Sequence, residues 1–178
     1  MSDRHQVLCS LQLYGVEIAE EPIYELSSGE KSRYYVDVKA ASLQAKAQQP
    51  LANLLAAEVN SFGPDAVAGV ALGGCHLASI VAATRWATAP LDVVYVRKEP
   101  KGHGTKKHVE GKLLANARIV LVEDVITTGD SSRKAIELIR EAGHEVVGVV
   151  AVVDRRTTKT DWLSGVPLKT LFALGELI

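Results

Sequence analysis

Ile119-Val120-Leu121-Val122-Glu123-Asp124-Val125-Ile126-Thr127-Thr128-Gly129-Asp130-Ser131 reads as a buried strand, two adjacent carboxylates, a hydroxyl-rich glycine turn and the start of a helix. The unsatisfied N–H groups of such a turn and of the first helical turn point outward and carry the positive end of the helix dipole, which suits a phosphomonoester. Thr127, Thr128 and Ser131 add hydroxyl donors, while Glu123 and Asp124 stand ready to accept from sugar hydroxyls. A Walker loop would need Gly-Lys-Ser/Thr here and a dinucleotide fold GxGxxG, and neither pattern is present. Alone, Thr-Thr-Gly-Asp is equally an ordinary loop.

Outward from this stretch, short apolar runs alternate with helical patterns. Val7, Leu8, Leu11 and Tyr14 recur at helical spacing, and Tyr34, Val36 and Val38 alternate as in a strand. A helix is expected from Pro50, with Leu51, Leu54, Leu55 and Val59 on one face, stopping near Gly63 and Pro64. Strands follow at Ala66 to Val70, Val93 to Val96 and Ile119 to Val122, with a helix from His76 to Trp86 after a Gly73-Gly74 turn. Ser131 is the expected cap of a helix running to Ala142, with Ala135, Ile136 and Ile139 inward. Gly143 ends it, and Val146 to Val153 is the most apolar strand. The pattern predicts one α/β domain over 1–178, with a central, mostly parallel sheet and helices on both faces.

Composition narrows the function classes. The chain has 178 residues, 47% of them hydrophobic, enough for a core without disulfides or a structural metal. Its 20 basic and 21 acidic residues leave a formal charge of -1, so no global field calls for nucleic acid or an anionic membrane. Cys9 and Cys75 form neither a CxxC nor a disulfide framework, and no signal peptide is evident, so the expected location is the cytoplasm. Ala66 to Thr84 lacks charge apart from His76, but Gly69, Gly73, Gly74 and Ser79 interrupt it, which argues against a membrane span.

Two further strand ends carry unusual residues, and so does the end of the last long strand. Arg97-Lys98-Glu99-Pro100-Lys101-Gly102-His103-Gly104 is dense in cations and glycines; by itself it also reads as a solvated basic loop or a weak nucleic-acid patch. Near the N-terminus, Leu26-Ser27-Ser28-Gly29-Glu30-Lys31-Ser32-Arg33-Tyr34-Tyr35-Val36-Asp37 could be a turn running into an edge strand. Asp154-Arg155 closes the set, and a surface arginine is its bland explanation.

Together these segments resemble the orotate phosphoribosyltransferases. Residues 119–131 are similar to the phosphoribosyl pyrophosphate motif of type I phosphoribosyltransferases, 97–104 to the RKxxKxHG lid, 26–37 to the base-binding hood, and Arg155 to the arginine that meets the orotate carboxylate. The resemblance implies a type I phosphoribosyltransferase fold in which residues 1–40 supply a small N-terminal hood. It implies transfer of a phosphoribosyl group to orotate, with magnesium held mainly by the substrate and not by a protein cage. By the same resemblance, Arg97, Lys98, Lys101, His103 and the run Glu123, Asp124, Val125, Ile126, Thr127, Thr128, Gly129, Asp130, Ser131 hold phosphoribosyl pyrophosphate. Lys101, His103 and Asp124 are the catalytic candidates, and Thr127, Arg155, Tyr35 and Ser28 hold orotate. A homodimer with the lid shared across its interface is implied, with no nucleic acid or membrane partner. This chain departs from the pattern at Ser27 and Leu72, where some members place a lysine, at Asp130, an added acid, and at Gly102, which replaces a frequent acid. Two other classes stay open: a purine phosphoribosyltransferase, and a silent regulator built on the same fold.

Overall fold

The structure, a computed structural model, describes residues 1–26, 29–85, 87–99, 107–156, 163 and 165–178. The N-terminal helix α1 (Asp3–Ser10) is capped by Ser2 and continued by a π-helical turn, Leu11–Gly15. Four short strands follow: β1 (Val16–Ile18), β2 (Tyr24–Glu25), β3 (Lys31–Ser32) and β4 (Tyr34–Val36), pairing antiparallel as β1 with β4 and β2 with β3. This is the small N-terminal hood. Helices α2 (Val38–Ser42) and α3 (Ala45–Asn60) lead into β5 (Ala66–Val70), α4 (Gly73–Arg85), β6 (Asp92–Val96), β7 (Val109–Glu110), β8 (Arg118–Ile126), α5 (Asp130–Glu141), β9 (Glu145–Asp154), β10 (Leu168–Ala173) and α6 (Leu174–Leu177).

The main sheet has the order β10-β9-β8-β5-β6-β7, parallel except where β7 runs antiparallel to β6. Side chains of β8 alternate between two cores. Val120 and Val122 join Leu51, Leu55, Val59, Leu77 and Val81 from α3 and α4, whereas Ile119 and Leu121 join Ala135, Ile136 and Ile139 from α5. All four of these β8 side chains are fully buried. Each contributes about 1.5–3 kcal/mol by leaving water, so the central strand is firmly fixed and its end is a stable platform. Between β8 and β9 the register slips by one residue: Ile119 faces Val146, but Val120 faces Gly148. At that bulge the ring of Phe62 lies 2.7 Å from where a Cβ on Gly148 would sit, so the glycine gives the ring its place.

Several local expectations need correction. Helix α3 begins at Ala45, not Pro50, because Ala45-Lys46-Ala47-Gln48-Gln49 are strong helix formers and outweigh the proline inside the helix. Val38 opens α2 instead of extending a strand, since the Asp37 carboxylate accepts from the Lys39 N–H and turns the chain. Gly73 and Gly74 form the first turn of α4, not a separate turn: a Cβ on Gly74 would lie 2.4 Å from the Val122 carbonyl oxygen, so only glycine lets this helix touch β8. Gly129, in the left-handed region at φ 77°, is the N-cap of α5, and Ser131 lies inside the helix. Gly143, at φ 86°, ends it as expected. Trp86 lies outside the described residues, and α4 is described to Arg85.

Candidate active site

The strand β8 extends through Ile126, so the acidic pair sits within it and its two members point to opposite faces of the sheet. Glu123 turns toward α5. It is only 5% exposed, and its Oε1 accepts from the Ser132 hydroxyl at 3.0 Å. Burial, reinforced by the neighbouring Asp124 charge, pushes its carboxyl up to about 8 against the opposing pull of Ser132 and Lys98. Asp124 turns the other way, toward α4 and α2. Its Oδ1 accepts from the Val125 N–H at 2.8 Å, its carboxylate sits over Gly73, and Lys39 Nζ approaches Oδ2 at 3.9 Å.

A prediction follows from the buried acid. A carboxyl whose folded value of about 8 exceeds its ordinary 4.5 destabilises the fold progressively as pH rises between those values. Glu123→Gln keeps the acceptor for Ser132 and removes the titration. Its melting temperature should therefore gain on the wild type as pH is raised from about 5 to about 8.5. Parallel curves over that range would show that Glu123 does not titrate there.

Beyond β8 the chain turns through Thr127, Thr128 and Gly129 into α5. Residues Glu123 and Val125 to Ser132 line a cavity of ≈ 130 Å³ there. The positive φ of Gly129 lets the chain reverse, so the first N–H groups of α5 face the turn. The Asp130 carboxylate is taken up by Arg133 at 2.5 Å, which offsets the added acid beside this opening.

Arg97 and Lys98 follow β6 and line a second cavity, ≈ 270 Å³, together with Asp130, Ser131 and Lys134 of α5. The basic segment and the glycine turn thus open on the same end of the sheet. The base of the segment is tied down: the Arg97 N–H donates to the His108 carbonyl at 2.8 Å, and Arg97 Nε donates to Glu110 Oε1 at 3.0 Å. Lys101, Gly102 and His103 lie outside the described residues, as do Ser27 and Ser28.

Arg155 leaves the end of β9 and reaches the hood. Its N–H donates to the Ile126 carbonyl at 2.8 Å, and its Nη2 donates to the Tyr34 carbonyl at 3.0 Å and toward Ser32 Oγ at 3.4 Å. Its Nε is buried and has no hydrogen-bond partner among the described residues. Tyr35 is exposed on β4, with its ring 5.5 Å from that of Tyr24. Next to Arg155, Arg156 is held by both oxygens of Asp154 at 2.9 and 2.7 Å.

Sequence reasoning missed Lys39, His76, Glu110 and Ser132. No local motif marks them, because each matters through a contact made far along the chain: Lys39 and His76 near Asp124, Glu110 on Arg97, Ser132 on Glu123. In the expected turn between β5 and α4, Leu72 is 77% exposed. Among the described residues no group of three or more His, Cys, Asp or Glu is arranged to hold a metal ion. None of the described helices is long and apolar enough to cross a membrane.

Comparison with known proteins places this arrangement. Residues 39–167 match the phosphoribosyl transferase domain. The orotate phosphoribosyltransferase of Aquifex aeolicus is 39% identical over 181 residues, covering 100% of this chain and 99% of that protein. A crystal structure of a phosphoribosyltransferase from Corynebacterium diphtheriae superposes with a TM-score of 0.82 at 30% identity, covering 99% of each chain. Orotate phosphoribosyltransferase of Mycobacterium tuberculosis H37Rv, solved in complex with 5-phospho-alpha-D-ribosyl 1-diphosphate, superposes with a TM-score of 0.75 at 25% identity, covering 99% of this chain and 92% of that one. The sheet is thus that of the type I phosphoribosyltransferase fold, and with identity running the whole length of a relative so named, the chain belongs to the orotate phosphoribosyltransferase family.

Proposed function

We infer that the protein transfers the phosphoribosyl group of phosphoribosyl pyrophosphate to orotate, giving orotidine 5'-monophosphate and pyrophosphate in pyrimidine biosynthesis. The observation that carries this reading is that one end of the sheet carries a phosphate-sized opening at 127–131, the Asp124 carboxylate, and an arginine at the hood whose buried Nε has no partner among the described residues. The 5'-phosphate sits on the N–H groups and hydroxyls of Thr127 to Ser131. Asp124 accepts from the ribose hydroxyls and faces the positive charge that develops on the ring as the C1–O bond breaks. Glu123, expected beside it, faces the other way and supports the loop through Ser132.

In this reading orotate N1 attacks C1 with inversion while pyrophosphate leaves, and no covalent enzyme intermediate forms. Arg97 and Lys98 anchor the pyrophosphate, and Lys101 and His103 of the lid stabilise it as charge accumulates. Arg155 pairs with the orotate carboxylate, for which a planar guanidinium is suited, with the Tyr35 face, Ser28 and Thr127 completing the base site. Asp124, as a single carboxylate, fits an ion that arrives with its substrate and keeps several waters. Magnesium would be held mainly by the substrate's pyrophosphate and ribose hydroxyls and would supply charge neutralisation on the pyrophosphate. The enzyme works as a cytoplasmic homodimer, one domain per chain over 1–178, each lid completing the partner's site.

The decisive assay follows loss of orotate absorbance on adding phosphoribosyl pyrophosphate and magnesium, with adenine, hypoxanthine, xanthine and uracil as controls. Turnover of a purine instead would replace this reading with the purine class, and binding without turnover would replace it with the regulator. Arg155→Ala should raise the KM for orotate by about tenfold or more while changing that for phosphoribosyl pyrophosphate far less. Equal changes in both would remove Arg155 from the base site.

A further inference from the structure

We propose that Lys39 is a positioning residue for phosphoribosyl transfer: its ammonium, locked to the Asp37 cap of α2, holds the Asp124 carboxylate where the ribose meets it. The inference rests on the reading that Asp124 receives the ribose, and it concerns a residue to which that reading gives no task.

The lysine is itself held in place. Asp37 Oδ1 accepts from both the Lys39 N–H at 3.0 Å and the Lys39 Nζ at 2.6 Å, so the side chain folds back onto the cap of its own helix. Helix α2 is docked at both ends. The Asp37 N–H donates to the Gly15 carbonyl at 2.8 Å, and Ser42 Oγ lies 2.6 Å from His76 Nε2 of α4. Val38, Ala41 and Ser42 are buried between these points. An ammonium in such a frame has little freedom left to lose when it acts, which is what distinguishes a positioning group from a surface lysine.

The target is bounded on three sides. Val125 donates to Oδ1, Gly73 leaves no room below, and Lys39 Nζ stands 3.9 Å from Oδ2. Asp37 and Asp124 would otherwise be two carboxylates close to one point, with His76, whose pKa burial lowers, as a neighbour of Asp124. With Lys39 the group carries one net negative charge, directed at the ribose. Without it the like charges repel and the Asp124 side chain has a reason to swing away. The charged state of Lys39 follows the same balance: partial burial alone would lower its pKa, but the hydrogen bond and charge of Asp37 and the field of Asp124 outweigh this and raise it.

Helix α2 directly follows the hood strand β4, so Lys39 also feels Tyr35 of the base half, but its ion pairs are with Asp37 and, on the sugar half, with Asp124. A structural defect in α2 would disturb the hood and hence orotate. A lost positioning charge, whose ion pairs are with Asp37 and Asp124, disturbs phosphoribosyl pyrophosphate far more than orotate.

The test measures binding of phosphoribosyl pyrophosphate with magnesium by calorimetry, which needs no base, alongside the KM for orotate. Lys39→Met should weaken phosphoribosyl pyrophosphate by about tenfold and leave the orotate KM within about twofold, and Lys39→Arg should restore most of the loss. In an Asp124→Asn background the Lys39→Met change should add nothing further, because its route of action is gone. Lys39→Gln carries the same expectation if the methionine variant fails to fold. Unchanged phosphoribosyl pyrophosphate affinity, equal losses for both substrates, or losses that add fully to those of Asp124→Asn would overturn the proposal. Absence of orotate turnover in the wild type would instead remove the orotate assignment, and the calorimetric comparison would still decide the role of Lys39.

Discussion

Gly73→Ala is expected to yield a folded protein that has lost at least about a hundredfold in kcat/KM, the scale that follows from an ångström-sized displacement of a reacting group. A Cβ at this position would lie 1.8 Å from Asp124 Oδ2 and 2.3 Å from its Cγ. The obstacle is the end of a side chain, so the least costly response is rotation of the Asp124 carboxylate away from the ribose, with the backbone left in place. The neighbouring Gly74→Ala is the contrasting control. Its Cβ would lie 2.4 Å from the Val122 carbonyl oxygen and 3.2 Å from the Gly69 backbone, and neither can rotate aside. That change should cost about 1–3 kcal/mol of stability or more, as overpacking against a rigid neighbour does. Thermal unfolding and the orotate assay together separate the two. Wild-type turnover by Gly73→Ala would mean that the chemistry does not need Asp124 where it stands.

The second large effect is a recovery. Lys101→Ala and Asp124→Asn should each be inactive in their own homodimers, the first through the lid and the second through the ribose site. Mixed under conditions that let subunits exchange, they should regain about a quarter of wild-type activity. That figure follows from ~1/2 heterodimers, each with one site assembled from an intact lid and an intact β8 end. No recovery despite verified exchange would show that lid and ribose site act within one chain. The transfer reaction would stand, and the shared site would be withdrawn.

How far the sequence carried depended on the range of the interaction being read. Buried strands announce themselves because their pattern is set residue by residue, and the runs at 66–70, 93–96, 119–122 and 146–153 all lie inside observed strands. The glycine turn at 127–131 was legible because a left-handed glycine before a helix is a local necessity, although Ser131 was given the capping role that Gly129 fills. What escaped was decided across the chain. Glu123 and Asp124 looked like one acidic pair, but β8 runs on through Ile126, and its alternation sends one carboxylate to α5 and the other to α4. Strand β7 has only two residues and exists because β6 offers it an edge, so no periodicity could mark it. Helix α3 shows the remaining kind of error. A proline was read as a boundary, and the strong helix formers Ala45 to Gln49 carried the helix through it.

The one-residue slip between β8 and β9 bears on how the chain tolerates change. Arg155 emerges where Ile126 ends because the ladder from Val120 onward is in step with β9 from Gly148 onward. Val147 sits in the slip and takes no partner in that ladder. Chain gained or lost at this point alters the bulge before it alters the spacing beyond it. The strand therefore has an expansion joint near its start. A residue inserted or removed at the start of β9 is expected to leave the guanidinium at the far end in register with the hood.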